Sequence, residues 1–250
     1  MANGPSDYRS RVFRRYFDTL STELGFAGPD SPGVPDAVFR SYFLPLIPAD
    51  RGARILDVGC GRGHLLDFLK RSGYRDLQGV DLSPQMVECS RRLGVPAEQS
   101  EATAFLSAHP ARFDCVLALD VLEHLFKDEL FALMDAVFSA LRPGGCFIAH
   151  TVNADGLAWG RMRYIDITHE QSFTRYSLGQ LFTVTGFSGQ EFRPVEPVGS
   201  GPRVLARRLI GKGVRLAASL VHHAESGSGI LNNDHIVTSS FIAKAVKAAA

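Results

Sequence analysis

Three carboxylates stand at the ends of short aliphatic runs: Asp57 in Ile55-Leu56-Asp57-Val58, Asp81 after Leu77-Gln78-Gly79-Val80, and Asp120 after Val116-Leu117-Ala118-Leu119. Runs of this length, bounded by turn residues, read as buried strands. The first leads directly into Gly59, Gly61 and Gly63, and then into Leu65, Leu66, Phe68 and Leu69 at helical spacing. Strand, glycine turn and helix N-terminus in that order let a ligand approach the main chain closely. Bare N–H groups at a helix start favour an anion such as pyrophosphate, whereas a carboxylate at Asp57 suits a ligand whose nearby group is cationic. A dinucleotide fingerprint would need another glycine three residues after Gly61. That position is His64, which disfavours a nicotinamide oxidoreductase. An acid in the place of Asp81 can accept the hydroxyls of a ribose. His124 and His169 are candidate proton acceptors, because imidazole titrates near neutrality.

Leu56-Asp57-Val58-Gly59-Cys60-Gly61-Arg62-Gly63 resembles the first motif of class I S-adenosylmethionine-dependent methyltransferases, and the resemblance extends from about residue 50 to 187. It implies S-adenosylmethionine as cofactor, with the methionine ammonium near Asp57 and the turn Gly59, Cys60, Gly61, Gly63 and His64 around it. Asp81, with Leu82 and Met86, matches the acid that binds the ribose. Glu101, followed by Ala102, lies where the family places an acid facing the adenine amine; as a helix cap it is equally well explained. Leu119 and Asp120 would line the cofactor's edge. Asp120-Val121-Leu122-Glu123-His124 resembles the fourth motif, in which Glu-His is frequent among enzymes acting on small molecules, and directs His124 toward the donor methyl or the acceptor.

Asp166-Ile167-Thr168-His169-Glu170 resembles a loop of sugar-modifying methyltransferases. On that resemblance His169 is the first candidate for a general base and His124 the second, with Tyr164, Asp166 and Glu170 as substrate contacts. The expected activity is O-methylation of a sugar, nucleotide sugar or glycan intermediate. One alternative is O- or C-methylation of a natural-product or quinone-like acceptor, distinguished by a mainly apolar pocket. Another is a non-catalytic binding protein that keeps the fold. No residues have metal-ligand spacing, and no metal is expected, although Asp120, Asp166 and neighbouring carboxylates could meet in space.

These residues need strands that end together at one edge. Strands are predicted at 53–58, 77–81, 95–99, 113–119, 145–152, 188–195 and 235–246, with helices near 63–72, 84–93, 102–108, 127–141 and 177–185. Regular strand–helix alternation implies a parallel sheet with right-handed crossovers. The fold class is α/β: a Rossmann-like, doubly wound, mostly parallel seven-stranded sheet with a final antiparallel edge strand, plus N-terminal helices. Ligands of such sheets sit at the carboxyl ends of the strands. The expected organisation is an N-terminal helical cap over 1–48 and a methyltransferase domain over 49–250. The cap holds a helix at 6–24 and another starting at Pro35. The domain carries a substrate loop at 153–176 and a basic helical insertion at 202–223.

At 250 residues the chain accommodates one complete domain of this kind. A net charge of +1 makes no case for nucleic acid. Cys60, Cys89, Cys115 and Cys146 form no C-x-x-C pair and read as reduced thiols. No signal-peptide core or membrane-length apolar run is present in the sequence, so a cytoplasmic location is expected. Residues 202–223 carry Arg203, Arg207, Arg208, Lys212 and Arg215 among Leu205, Leu209, Leu216 and Leu220, without an acid. That pattern suits peripheral contact with an anionic membrane, a phosphate-bearing substrate, or a solvated helix packed by its leucines.

Overall fold

The computed structural model describes Val12 and residues 33–226 and 236–249. Among them, seven strands form one sheet: Arg54–Val58 (β1), Asp76–Asp81 (β2), Ala97–Gln99 (β3), Phe113–Leu119 (β4), Leu141–Val152 (β5), Ser188–Pro194 (β6) and Ser240–Val246 (β7). Their order is β3-β2-β1-β4-β5-β7-β6. Pairings from β3 to β5 are parallel, and β7 runs antiparallel to both β5 and β6. The antiparallel strand that the sequence leads one to expect is therefore second from the rim, and β6 forms the rim. The strand order reverses between β1 and β4, the switch point at which a crevice opens.

Central strands covered on both faces need continuous apolar sequence rather than alternation. Residues 115–118 of β4 are all fully buried, as are Ile55 and Leu56 of β1. On one face Leu56 and Val58 join Phe105, Leu133, Met134 and Phe182, contributed by helices Ala102–Ser107 (α4), Lys127–Ala140 (α5) and Arg175–Val184 (α7). On the other, Ile55 and Leu117 join Phe39, Phe68, Leu69 and Val87 from helices Asp36–Tyr42 (α1), His64–Arg71 (α2) and Pro84–Arg92 (α3). Two further helices, Trp159–Tyr164 (α6) and Pro202–Ser226 (α8), lie in the connections after β5 and β6.

Local chemistry sets the helix starts. Ser83 accepts the Met86 N–H at the head of α3, with Pro84 in the first turn, where its missing donor costs nothing. Thr174 and Ser177 cap α7 reciprocally, which starts that helix at Arg175, two residues before the expected Ser177. β5 begins at Leu141 rather than 145, because Leu141 already pairs with Phe113 ahead of a register shift. β7 begins at Ser240 rather than 235. α6 is not visible in the sequence pattern, since none of its residues is buried. Of the expected helix at 6–24 only Val12 is described, in helical conformation; the rest lies outside the described residues, as does His235. The four cysteines are free thiols, three of them buried.

Gly63 has φ of +77° immediately before α2, and a Cβ there would lie 2.3 Å from Ser90 Oγ of α3. Gly144 has a similar φ of +78° with open space around it. Gly144→Ala should therefore cost about 1–2 kcal/mol from backbone strain alone. Gly63→Ala should cost about 2–4 kcal/mol, because the steric clash adds to that strain. Urea unfolding of both variants checks the difference, and equal losses would remove the packing argument.

Candidate cofactor and acceptor site

A cleft of about 1160 Å³ opens at the carboxyl ends of β1, β2 and β4. Its floor is the turn after β1, where Gly59 and Gly61 take φ of +66° and +51°. The Cys60 N–H donates to the Val80 carbonyl at 3.0 Å and laces this turn to β2. Asp81 completes the link: Oδ2 accepts the Gly61 N–H at 2.9 Å and Oδ1 accepts the Ser83 N–H at 2.8 Å. Burial raises the Asp81 pKa, and these two N–H groups oppose the rise. A Cβ on Gly59 would lie 2.6 Å from Val121 Cγ2, so the turns after β1 and β4 are in close contact.

Of the residues expected around a cofactor, Gly59, Gly61, Asp81, Leu82, Met86, Glu101, Ala102 and Asp120 line this cleft. Asp57, Cys60, Gly63, His64 and Leu119 lie outside its lining. Asp57 is 3% exposed, and its Oδ1 has no hydrogen-bond partner among the described residues. Burial, reinforced by the nearby Asp81 carboxylate, pushes its pKa up to about 8. Burial also pushes the Cys60 thiol up and holds His64 below its ordinary value. Both Glu101 oxygens accept N–H groups at the head of α4, from Thr103 at 2.9 Å and Ala104 at 2.6 Å. Capping thus occupies that acid, even though it borders the cleft.

Asp120 is a non-glycine residue at φ of +54°, an uncommon conformation for a side chain at the end of a strand. Its Oδ1 accepts from His150 Nδ1 at 2.7 Å, and His150 Nε2 lies 2.9 Å from Ser240 Oγ. The turn Leu122–His124 follows. Glu123 is 1% exposed, with Oε2 accepting the Thr151 hydroxyl at 2.9 Å and Oε1 unpartnered among the described residues. Burial, with Asp120 adding repulsion, pushes it up to about 8. Its carbonyl accepts the N–H groups of Glu170 and Gln171, which brings the segment after β5 onto this turn.

That segment sets the tautomer of His124. The Thr168 hydroxyl donates to Asp166 Oδ1 at 2.7 Å, so it accepts from His124 Nδ1 at 2.8 Å. The neutral ring then carries its lone pair on Nε2. Burial, reinforced by His169, lowers the His124 pKa to about 4. His169 stands edge-on to His124 with ring centroids 4.8 Å apart, and its Nδ1 donates to the Met162 carbonyl at 2.8 Å. Ligand atoms of Glu123, His124 and His169 lie within 4.8 Å of one another. One carboxylate and two imidazoles form a donor set of the kind that suits first-row divalent cations, although the sequence shows no ligand spacing.

The two candidate bases are placed differently: His124 lines the cleft, whereas His169, 8% exposed, is outside its lining. Asp166 is buried, and Tyr164 is 74% exposed beneath the Arg163 guanidinium. Arg163 in turn binds the carbonyls of His169 and Glu170. None of Tyr164, Asp166, His169 and Glu170 is in the cleft lining; Asp166 through Thr168, His169 through its ring and Glu170 through its N–H contact the turn that carries His124. Residues not singled out in the sequence are Thr168, the spacer between Asp166 and His124, and Thr151 on β5. Val121, Leu125, Ala132 and Leu133 are also new; they belong to the same cleft lining as His124. The apolar periodicity of α5 is the only signal that pointed to the last two.

A family profile described as "Methyltransferase domain" matches residues 8–191. The ubiquinone biosynthesis O-methyltransferase of Xylella fastidiosa (strain 9a5c) is 31% identical over 139 residues, 52% of this chain and 55% of that protein. The enzyme of the same name from Methylocella silvestris is 34% identical over 131 residues, 47% of this chain and 50% of that protein. The chain thus spans about half the length of these relatives. Among solved structures, a SAM-dependent methyltransferase from Archaeoglobus fulgidus has a TM-score of 0.63 and 22% identity, covering 96% of this chain and 100% of that one. Phosphoethanolamine N-methyltransferase 2 of Haemonchus contortus, in complex with S-adenosyl-L-methionine, has a TM-score of 0.68 and 20% identity, covering 99% and 61%. At these identities the structures share the fold. The expected sugar, nucleotide-sugar or glycan acceptor does not stand: the curated relatives carry the name of ubiquinone biosynthesis.

Asp57 yields a prediction with a definite sign. Its folded pKa of about 8 lies above its ordinary value of 3.8. Between the two, the folded state holds a proton that the unfolded state has released, so stability falls as pH rises through that window. The slope reaches about 1.4 kcal/mol per pH unit for one proton. Asp57→Asn should flatten the decline in urea midpoint between about pH 5 and pH 8. An unchanged slope would mean that Asp57 titrates as an ordinary surface acid.

Proposed function

The chain belongs to the methyltransferase domain family, and on that premise we propose that it methylates a hydroxyl on a quinone-like aromatic acceptor, using S-adenosylmethionine. The observation that carries the acceptor class is the wall around His124. Val121 and Leu125, which flank His124 in the chain, line the cleft with it and present aliphatic groups there, where a sugar would need several converging hydrogen-bonding groups. The names of the curated relatives support the same class.

The other half of the cleft fits the cofactor. Asp81 keeps acceptor capacity beyond its two backbone bonds, as binding a ribose requires. Gly59 and Gly61 leave the floor without side chains, while Leu82, Met86 and Ala102 offer apolar surface to an adenine. The unpartnered Asp57 oxygen lies two residues before the same turn, and a cationic group bound near it would draw off its proton and pair with the carboxylate. When bound, S-adenosylmethionine supplies a methyl on a sulfonium, which leaves as a neutral thioether.

The residues of the chain then have two tasks, alignment and proton removal. The cleft walls hold acceptor oxygen and methyl in line, and that alignment can account for much of the rate. A phenolic hydroxyl has a pKa of about 10 and stays protonated at neutral pH. As the O–C bond forms, the oxygen becomes strongly acidic, so even a weak base removes its proton. His124 accepts it at Nε2. The low pKa of His124 keeps the lone pair available throughout the physiological range. The Thr168 hydroxyl and the Asp166 carboxylate behind it hold the ring in this tautomer and stabilise the imidazolium that forms.

Transfer of labelled methyl from S-adenosylmethionine to catechols and short-chain quinols tests the acceptor class. Product is expected with at least one such compound, and failure with all of them, in a sample that binds the cofactor, would reject it. His124→Ala should lower kcat by about 10²- to 10⁴-fold with cofactor affinity unchanged. Thr168→Val should lower kcat by roughly tenfold at unchanged acceptor KM, because the ring is present but no longer held in its tautomer.

A further inference from the structure

The helix α8 lies beyond residues 8–191, the span shared with the family, and none of its described side chains is buried. Its half-buried positions include Val204, Gly211, Arg215 and Ala218, whose spacings of seven, four and three mark one side of a helix. That side faces the body. Arg215 pairs there with Glu196, and Arg208 donates to the Pro197 carbonyl at 3.1 Å. The side turned away carries Leu205, Leu209, Leu216 and Leu220, which are 58, 58, 57 and 48% exposed. Ile210 and Val221, 67 and 59% exposed, widen the stripe.

Charge flanks this stripe on both sides. By helical geometry Lys212 falls along one shoulder, and Arg203 and Arg207 along the other. All three are exposed, and no acid occurs between 202 and 224. A leucine stripe edged by cations is built to enter the boundary between acyl chains and headgroups while its charges meet anionic lipid. We propose that α8 docks in the plane of an anionic lipid bilayer. A second copy of the chain is a poorer occupant, since pairing two such stripes would bring cationic shoulders together. Spanning is not the mode either: among the described residues no helix is long and apolar enough to cross a membrane.

The test is sedimentation of the full chain with phosphatidylcholine vesicles, with and without one third phosphatidylglycerol. The expected result is partition to the anionic vesicles, falling severalfold between about 50 and about 300 mM salt as the charges are screened. Leu209→Glu with Leu216→Glu should weaken partition at least tenfold while the melting curve and circular dichroism stay those of the parent. Arg203→Gln, Arg207→Gln and Lys212→Gln together should abolish the preference for anionic over neutral vesicles. Equal partition to both lipids by the parent, or unchanged partition by the leucine variant, would overturn the proposal. So would a lipid-free dimer that the leucine variant dissolves, because the stripe would then belong to a second copy.

Discussion

The two N–H groups of Gly61 and Ser83 converge on the two oxygens of Asp81, and the geometry of the cleft depends on that convergence. A buried carboxylate without such donors would be expensive, and buried N–H groups without an acceptor would be expensive too. Each turn therefore locks the other. The turn after β1 cannot rotate without stranding Asp81, and the head of α3 cannot shift without losing the Ser83 bond. Gly63 and Gly79 add steric closure, for added Cβ atoms would strike Ser90 and Cys60. The result is a floor fixed by bonds that run between the ends of β1 and β2.

A second acid, this one fully buried, organises the other wall. Glu123 holds the Thr151 hydroxyl with its side chain and two N–H groups of the following segment with its carbonyl. Through those contacts β5 and the stretch around 166–171 are fastened to the turn that carries His124. Glu123 and Asp57 each keep one oxygen without a partner among the described residues, which a purely structural core would avoid. Departures of this kind gather where a site has been favoured over stability. They fall here on Asp57 and Glu123, and also on His64 Nε2 and Ser90 Oγ beside the glycine turn.

Much of the site was legible because strand ends in a parallel sheet share one edge. Once the aliphatic runs ending near Val58, Val80 and Leu119 are read as strands, Asp81 and Asp120 must face the same crevice. Glu101 shows where reading in one dimension stops. Cap and ligand demand the same residue type at the same place, and only the bonds to Thr103 and Ala104 show that capping occupies it. The histidines show it again. The loop resemblance ranks His169 ahead of His124, but their separation in sequence says nothing about which ring lines the cleft. The leucines of α8 could equally have been a packed face, and their direction is set by Glu196 and Pro197 holding the opposite side.

By itself the sequence determined the α/β alternation, the glycine turn with its flanking acids and the basic amphipathic character of 202–223. Each is a local pattern whose physics acts over a few residues: periodicity, backbone freedom at glycine, and capping. Only the tertiary structure decided that β7 lies inside the rim and that Asp57 lies beneath the cleft. It alone placed Thr168 between Asp166 and His124, 44 residues apart in the chain from the latter, and left His169 outside the cleft lining. These depend on which buried polar groups find one another, and burial makes that pairing obligatory without making it local.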